Sequence, residues 1–218
     1  MSLLITPSLI SSIDWLKNCP NSWKESAYND LKNQLARDYS KPMPEPVIRG
    51  IEFEKKVYHI LDNVVNHDAY KIDKLECSNN FKKVLLLCKD STFQEKAKSI
   101  VNIDNKEYCF YGKIDVLKNT QDLIIDIKTT GEMKSKSKYL DTIQHKMYCF
   151  SKKIKNFRYI VVIMEGKYKI KDIKPIDYEV EDFDKLREDL IERVKKAISF
   201  IDSDTELQKL YLTKFNRY

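Results

Sequence analysis

The sequence predicts a mixed fold, α/β or α+β in class, with a central mixed β-sheet flanked by helices. Three observations carry this. Segments with apolar residues at helical spacing occupy both ends of the chain, segments with strand character fill the middle, and one helical segment separates two groups of strands. Neither an internal repeat nor a linker interrupts the 218 residues, so they read as a single domain. Its parts are an N-terminal helical region (1–47), a core (48–178) and C-terminal helices (179–218). With 42% hydrophobic residues, a chain of this length buries a core without a disulfide framework or a structural metal. Disorder is excluded by the recurrence of Leu, Ile, Val, Phe and Tyr.

Element by element, Thr6-Pro7 reads as an N-cap with proline in the first helical position, and Leu9, Ile10, Ile13 and Leu16 follow at helical spacing up to Asn18-Cys19-Pro20. Trp23, Ala27, Tyr28, Leu31 and Leu35 make a second stripe, closed by the loop from Lys41 to Pro46. A third helix follows with Gly50 at its start and Phe53, Val57, Ile60, Leu61 and Val64 on one face. Residues 67–80 are polar and irregular, and Phe81, Val84, Leu85 and Cys88 fit a short helix. Gln94 to Ile103 and Glu107 to Leu117 read as strands joined by a tight turn at Asp104-Asn105-Lys106, and Leu123 to Lys128 as a third. Leu140, Ile143, Met147 and Phe150 mark a helix. Tyr159–Met164 and Tyr168–Ile173 form a hairpin across Glu165-Gly166, and a long helix from about Asp182 to Ile201 closes the chain.

Composition restricts the functional classes. The net charge of +6 and pI near 8.8 suit a polyanionic partner, but both signs are mixed along the chain and the surplus alone does not establish nucleic acid. Cysteines 19, 77, 88, 109 and 149 contain no CxxC pair, which excludes the usual zinc spacing and suits reduced thiols in a cytoplasmic protein. The N-terminus lacks the basic region of a signal peptide, and no window reaches the roughly 18 apolar residues of a membrane span, so no membrane partner is expected. Lysines outnumber arginines 33 to 6, which fits an AT-rich genome such as that of a phage or its bacterial host.

The informative charges lie inside apolar strands. Asp115 interrupts Ile114-Val116-Leu117, and Asp126 interrupts Leu123-Ile124-Ile125-Ile127. Strand alternation puts Asp126 and Lys128 on one face. A two-residue turn at Thr120-Gln121 places Asp115 directly opposite Asp126, and a turn shifted by one changes the partner but keeps the shared face. Two carboxylates about 4–6 Å apart repel one another unless a cation lies between them. Oxygen donors of this kind suit Mg²⁺ or Mn²⁺ together with a substrate phosphate, and so a metal-dependent phosphodiesterase. Taken singly, each charge is also what an ordinary wet strand face displays.

Gly112-x-x-Asp115, then Asp126-Ile127-Lys128, then Gln144-x-x-x-Tyr148 together resemble the PD-(D/E)XK nuclease superfamily, in particular its RecB-like and lambda-exonuclease-like branch with a QxxxY helix. The resemblance spans roughly residues 49–165 and implies a restriction-endonuclease-like core. It further implies metal ligation by a helical acidic residue, the Asp of GxxD and the Asp of the next strand, with the following lysine at the scissile phosphate or the attacking water. Counting four from Gly50 assigns Glu54 to the helical position, where such nucleases usually carry histidine; Glu52 is second and His59 lies more than a turn further on. The implied ligand set is Glu54, Asp115, Asp126 and the Ile127 backbone carbonyl, with Lys128 catalytic. Gln144 and Tyr148 are implied to support the site or hold the nucleic-acid strand. With only Cys149 beyond Tyr148, the cysteines needed for the iron–sulfur cluster of some such nucleases are lacking, and no iron–sulfur cluster is expected.

Lys134, Lys136 and Lys138 alternate along a polar loop, where they either contact phosphates without reading sequence or are simply solvated. The resulting expectation is a Mg²⁺-dependent deoxyribonuclease, an exonuclease of recombination, repair or phage DNA metabolism. Its partners would be DNA ends or single strands and recombination or replication proteins. A structure-selective or restriction-like endonuclease and a non-catalytic DNA-binding module are the alternatives.

Overall fold

The computed structural model describes residues 2–166 and 169–216. A three-residue strand that the sequence did not announce, β1 (Leu3–Ile5), leads into α1 (Pro7–Asn18), whose first turn is capped where Thr6 Oγ1 accepts from the Leu9 amide at 3.1 Å. Helix α2 (Lys24–Ala36) ends on Arg37 in the left-handed conformation, φ 53°. Ala27, Leu31 and Leu35 are buried as their spacing requires, whereas Trp23, expected on the same stripe, is exposed. Helix α3 (Glu45–His59) starts five residues before Gly50, which is therefore inside the helix rather than at its start. Pro46 in its first turn explains why the proline loop ends there. The helix continues as one wide turn, Ile60–Val65, in which Val64 faces out.

The region read as irregular contains α4 (Ala69–Lys74), capped by Asp68, and is followed by α5 (Asn79–Cys88), capped by Ser78. Strands β2 (Thr92–Ile103) and β3 (Lys106–Lys118) form a hairpin whose turn residues Asp104 and Asn105 have φ of 50° and 63°, values that short Asp and Asn side chains tolerate. A four-residue turn with Asp122 left-handed then leads to β4 (Leu123–Thr130). The single helix expected around Leu140–Phe150 is two: α6 (Lys136–Leu140) and α7 (Gln144–Lys152). Lys136 and Lys138 accordingly lie on a short helix, with only Lys134 left in the loop. Strands β5 (Asn156–Glu165) and β6 (Lys169–Glu179) pair antiparallel, and Tyr168, assigned to the second of them, lies outside the described residues. Asp182 caps α8 (Phe183–Asp202), and α9 (Thr205–Leu210) follows.

Among the described residues the strands form one mixed six-stranded sheet in the order β1-β3-β4-β5-β6, with β2 on the other edge of β3. β1 runs parallel to β3 and β4 parallel to β5, while the remaining pairs are antiparallel. Each face of the sheet has its own core. One packs Val57, Leu61, Phe81, Val84 and Leu85 from α3, its wide turn and α5 against Val116, Ile125 and Ile127. The other packs α1, α2, α7, α8 and α9 against Ile114, Ile124 and Tyr159. The chain ends are tied together on this second side: the Leu4 amide donates to Asn216 Oδ1, and Tyr211 Oη donates to the Leu4 carbonyl at 3.0 Å. No helix among the described residues is long and apolar enough to cross a membrane. The fold class is therefore as expected, a mixed α/β arrangement with a central mixed sheet between helices.

Candidate active site

Asp115 stands where β3 loses the backbone partners on both of its edges. The β2–β3 ladder skips the Gln94–Asp115 position between Phe93↔Val116 and Glu95↔Ile114, and the β3–β4 ladder stops at Val116↔Ile125. The register Val116↔Ile125, Leu117↔Ile124 is the one that would put Asp115 opposite Asp126, although the turn producing it is longer than two residues. Beyond Val116 a side chain replaces the ladder: the Ile127 amide donates to Asp115 Oδ2 at 3.1 Å. The two strands part at the carboxylates.

Asp126 is fully buried at 0% exposure. Its Oδ1 accepts from Gln144 Nε2 at 2.6 Å, and its Oδ2 is 2.6 Å from Lys128 Nζ. The second contact is an ion pair without hydrogen-bond alignment, so Oδ2 remains a buried oxygen with no proper donor. Glu54 comes from α3 and is half-buried. Burial and then the charge of Asp126 push its pKa up to about 7, against a smaller opposing effect of Lys128. Asp115 is driven well above the usual carboxylate range by burial, then by Asp126 and Glu54. Burial opposes the Lys128 ammonium, but Asp126 and Asp115 outweigh it and hold its pKa above the ordinary lysine value. Three carboxylates thus surround one ammonium, and the surplus negative charge adds to burial in raising the acids.

The donor chemistry fits a hard divalent cation: carboxylate oxygens only and a surplus of negative charge. Among the described residues no three His, Cys, Asp or Glu side chains are placed to hold an ion between them, and Asp126 is instead engaged by Gln144 and Lys128.

Two glycines let the elements approach closely. A Cβ on Gly112 would lie 2.3 Å from Tyr148 Cε1, so the Tyr148 ring packs on the bare backbone of β3, and its hydroxyl donates to the Lys113 carbonyl at 3.0 Å. Gly112 and Tyr148, separate motifs in the sequence, are one contact. A Cβ on Gly50 would meet Thr129 Oγ1 at 3.1 Å, which brings α3 onto the end of β4. Gln144 is the first residue of α7, so the helix that seats Tyr148 also delivers the amide to Asp126.

The remaining candidates lie elsewhere. Lys134, Lys136 and Lys138 are exposed. Glu52 is exposed on the other side of α3, at a cavity of about 370 Å³ with Arg49, Phe53, Lys56 and Phe81. His59 is exposed, and its Nδ1 is 3.4 Å from Asn63. Sequence reasoning missed a buried chain behind Asp126. Tyr159, the β5 partner of Asp126, has its hydroxyl 3.0 Å from Thr142 Oγ1 and 3.1 Å from His145 Nδ1. Its only signal was polar residues at core positions of α7 and β5.

No protein-family model and no curated protein matches the sequence. Among solved structures, the protein SSO0001 is similar at 12% identity and a TM-score of 0.55, covering 92% of this chain and 77% of that one. A phage-related exonuclease from Haemophilus somnus 129PT is similar at 14% identity and a TM-score of 0.50, covering 97% and 94%. At these identities the likeness is one of fold. The chain shares the fold of these two structures over nearly its whole length.

Proposed function

We propose that this protein is a metal-dependent deoxyribonuclease of the PD-(D/E)XK type, with Glu54, Asp115, Asp126 and the Ile127 carbonyl as ligands for Mg²⁺ or Mn²⁺. The observation that carries the proposal is the meeting of Asp115, Asp126, Glu54 and Lys128 where β3 and β4 part, in a fold shared with a phage-related exonuclease. When bound, the ion supplies Lewis-acid activation of the phosphate and a lowered pKa for water. The protein supplies the rest. Gln144 holds the Asp126 carboxylate by one oxygen, and the Ile127 amide holds Asp115. Lys128, kept charged by its acidic neighbours, orients the attacking water and offsets charge on the phosphate oxygens. Tyr148 fixes α7 against β3 and so keeps Gln144 at Asp126. Lys134, Lys136 and Lys138 lie exposed between β4 and α7 and serve as contacts to the phosphates flanking the cut.

Exonuclease action on DNA ends is the preferred subtype, supported by the QxxxY resemblance and by the fold shared with the phage-related enzyme. End-labelled linear DNA and closed circular DNA, each with Mg²⁺ and with chelator, test this directly. The expected result is a Mg²⁺-dependent product ladder from linear DNA, an intact circle, and loss of cleavage in Asp126→Ala. Near-normal cleavage by Asp126→Ala overturns the site, and rapid loss of the circle overturns end dependence.

A further inference from the structure

The helix that carries Gln144 to Asp126 begins without a side-chain cap. Gln144 is the first residue of α7, and Ile143 before it has no side-chain group to accept from the free amides of the first turn. A tyrosine of the sheet holds the chain on either side instead. Tyr159, the register partner of Asp126 across β4 and β5, has its hydroxyl 3.0 Å from Thr142 Oγ1 and 3.1 Å from His145 Nδ1. Tyr159 and His145 are both buried. The His145 ring packs edge-on to Tyr159 and Tyr178, whose ring centroids lie 5.9 and 4.3 Å from its own.

The direction of these bonds follows from their far end. Thr142 Oγ1 donates its proton to the Tyr139 carbonyl at 2.9 Å, so it can only accept from Tyr159. Tyr159 therefore gives its one proton to Thr142, and its oxygen accepts from His145 Nδ1–H. Burial, then the charges of Lys146 and Arg193, keep the imidazole neutral, so Nδ1 carries its single ring proton. His145 Nε2 is then a bare lone pair, buried and without a partner among the described residues, and the bond to Tyr159 is what orients the ring. One hydroxyl thus pins residues 142 and 145, and Gln144 lies between them. Removing it leaves a buried imidazole N–H unpaired, a cost that a shift of this turn relieves.

We propose that Tyr159 is a positioning residue for Asp126: its hydroxyl, held between Thr142 and His145, fixes the start of α7 and so keeps the Gln144 amide on the carboxylate. As a role in cleavage this rests on the nuclease reading above, and the experiment separates the two. Tyr159→Phe, Gln144→Ala and the double variant are compared with the wild-type chain for kcat and KM on end-labelled DNA, for Mn²⁺ affinity by calorimetry without DNA, and for denaturant unfolding. Tyr159→Phe is expected to lower kcat about tenfold with KM within about twofold, and to weaken Mn²⁺ binding several-fold. In the Gln144→Ala background the same substitution is expected to change either quantity less than about twofold, because the group it acts through is gone. A purely structural role lowers stability alike in both backgrounds and leaves kcat and Mn²⁺ affinity of the folded chain unmoved. Should Tyr159→Phe not fold, Thr142→Val removes the acceptor of the same hydroxyl and carries the same comparison, with a smaller loss expected. Unchanged Mn²⁺ affinity in the single variant, or equal losses with and without Gln144, overturns the proposal. A wild-type chain that binds Mn²⁺ without cleaving, its affinity lowered by Tyr159→Phe only when Gln144 is present, overturns the nuclease reading and keeps the positioning role. A chain that neither binds nor cleaves overturns both.

Discussion

Asp126 shows how a single residue is both costly and useful. A fully buried carboxylate is tolerated only where charge and hydrogen bonds are supplied, and here Lys128 supplies the charge and Gln144 the hydrogen bond. Groups that orient a metal ligand typically cost 10–100-fold in affinity or activity when removed. Gln144→Ala should therefore lower Mg²⁺-dependent cleavage by about 10–100-fold, while circular dichroism at 25 °C stays that of the wild type. Gln144→Glu, of similar size but unable to donate when ionised, should do no better than alanine. A glutamate variant with wild-type activity would show that the short contact to Asp126 does not depend on the amide. At this scale the sequence was legible wherever a charge broke an apolar run, since alternation alone puts Asp126 and Lys128 on one face. It was silent on Tyr159 and His145, because a polar group at a core position of a strand or helix leaves no periodic mark.

Between elements, the packing of α7 on β3 converts two weak sequence signals into one joint. The space at Gly112 is filled by the Tyr148 ring, so Gly112→Ala must displace it, an overpacking change of about 1–3 kcal/mol. Denaturant unfolding should show that loss, and the cost of Gly112→Ala should shrink in a Tyr148→Ala background. Strict additivity of the two would mean that the ring and the glycine do not share the space. The sequence displayed most elements through capping and periodicity: Thr6-Pro7 opens α1, Asp182 caps α8, and Asp104-Asn105 turns the β2–β3 hairpin. It failed where tertiary contacts decide. β1 is too short for a period to show, and the break between α6 and α7 falls inside a continuous apolar stripe. Gly50, taken as a helix start, is inside α3, where its bare backbone lies close to Thr129, while the helix opens at Glu45-Pro46. Glu54 is accordingly too far along the helix to be the first-turn glutamate that a dipole argument would explain.

For the molecule as a whole, the carboxylate cluster makes stability depend on pH in a direction that can be worked out. Without metal, the folded-state pKa of Glu54 is about 7 against the ordinary 4.5, and Asp115 is shifted the same way. The folded chain thus holds these protons more tightly than the unfolded one, so the stability they contribute is full below the ordinary carboxylate range and is lost as pH rises through the raised values. His145 acts in the opposite sense. Burial, and then Lys146 and Arg193, take its pKa from 6.5 down to about 3, so its contribution is complete well above 6.5 and is lost as pH falls. From 6.5 to 8 the acids lose what remains of their contribution, and the part that His145 still gains there is smaller and of opposite sign. In chelator, the melting temperature should fall from pH 6.5 to pH 8, and Mg²⁺ should raise it most at the alkaline end, where the carboxylates are ionised and bind the ion best. Asp126→Asn removes a charge that raises both neighbours, so its chelated melting temperature should depend less on pH over the same interval. A wild-type melting temperature that climbs between pH 6.5 and 8 in chelator would show that the cluster's negative charge is already neutralised within the fold, and with it would go the electrostatic reason for placing a divalent cation there.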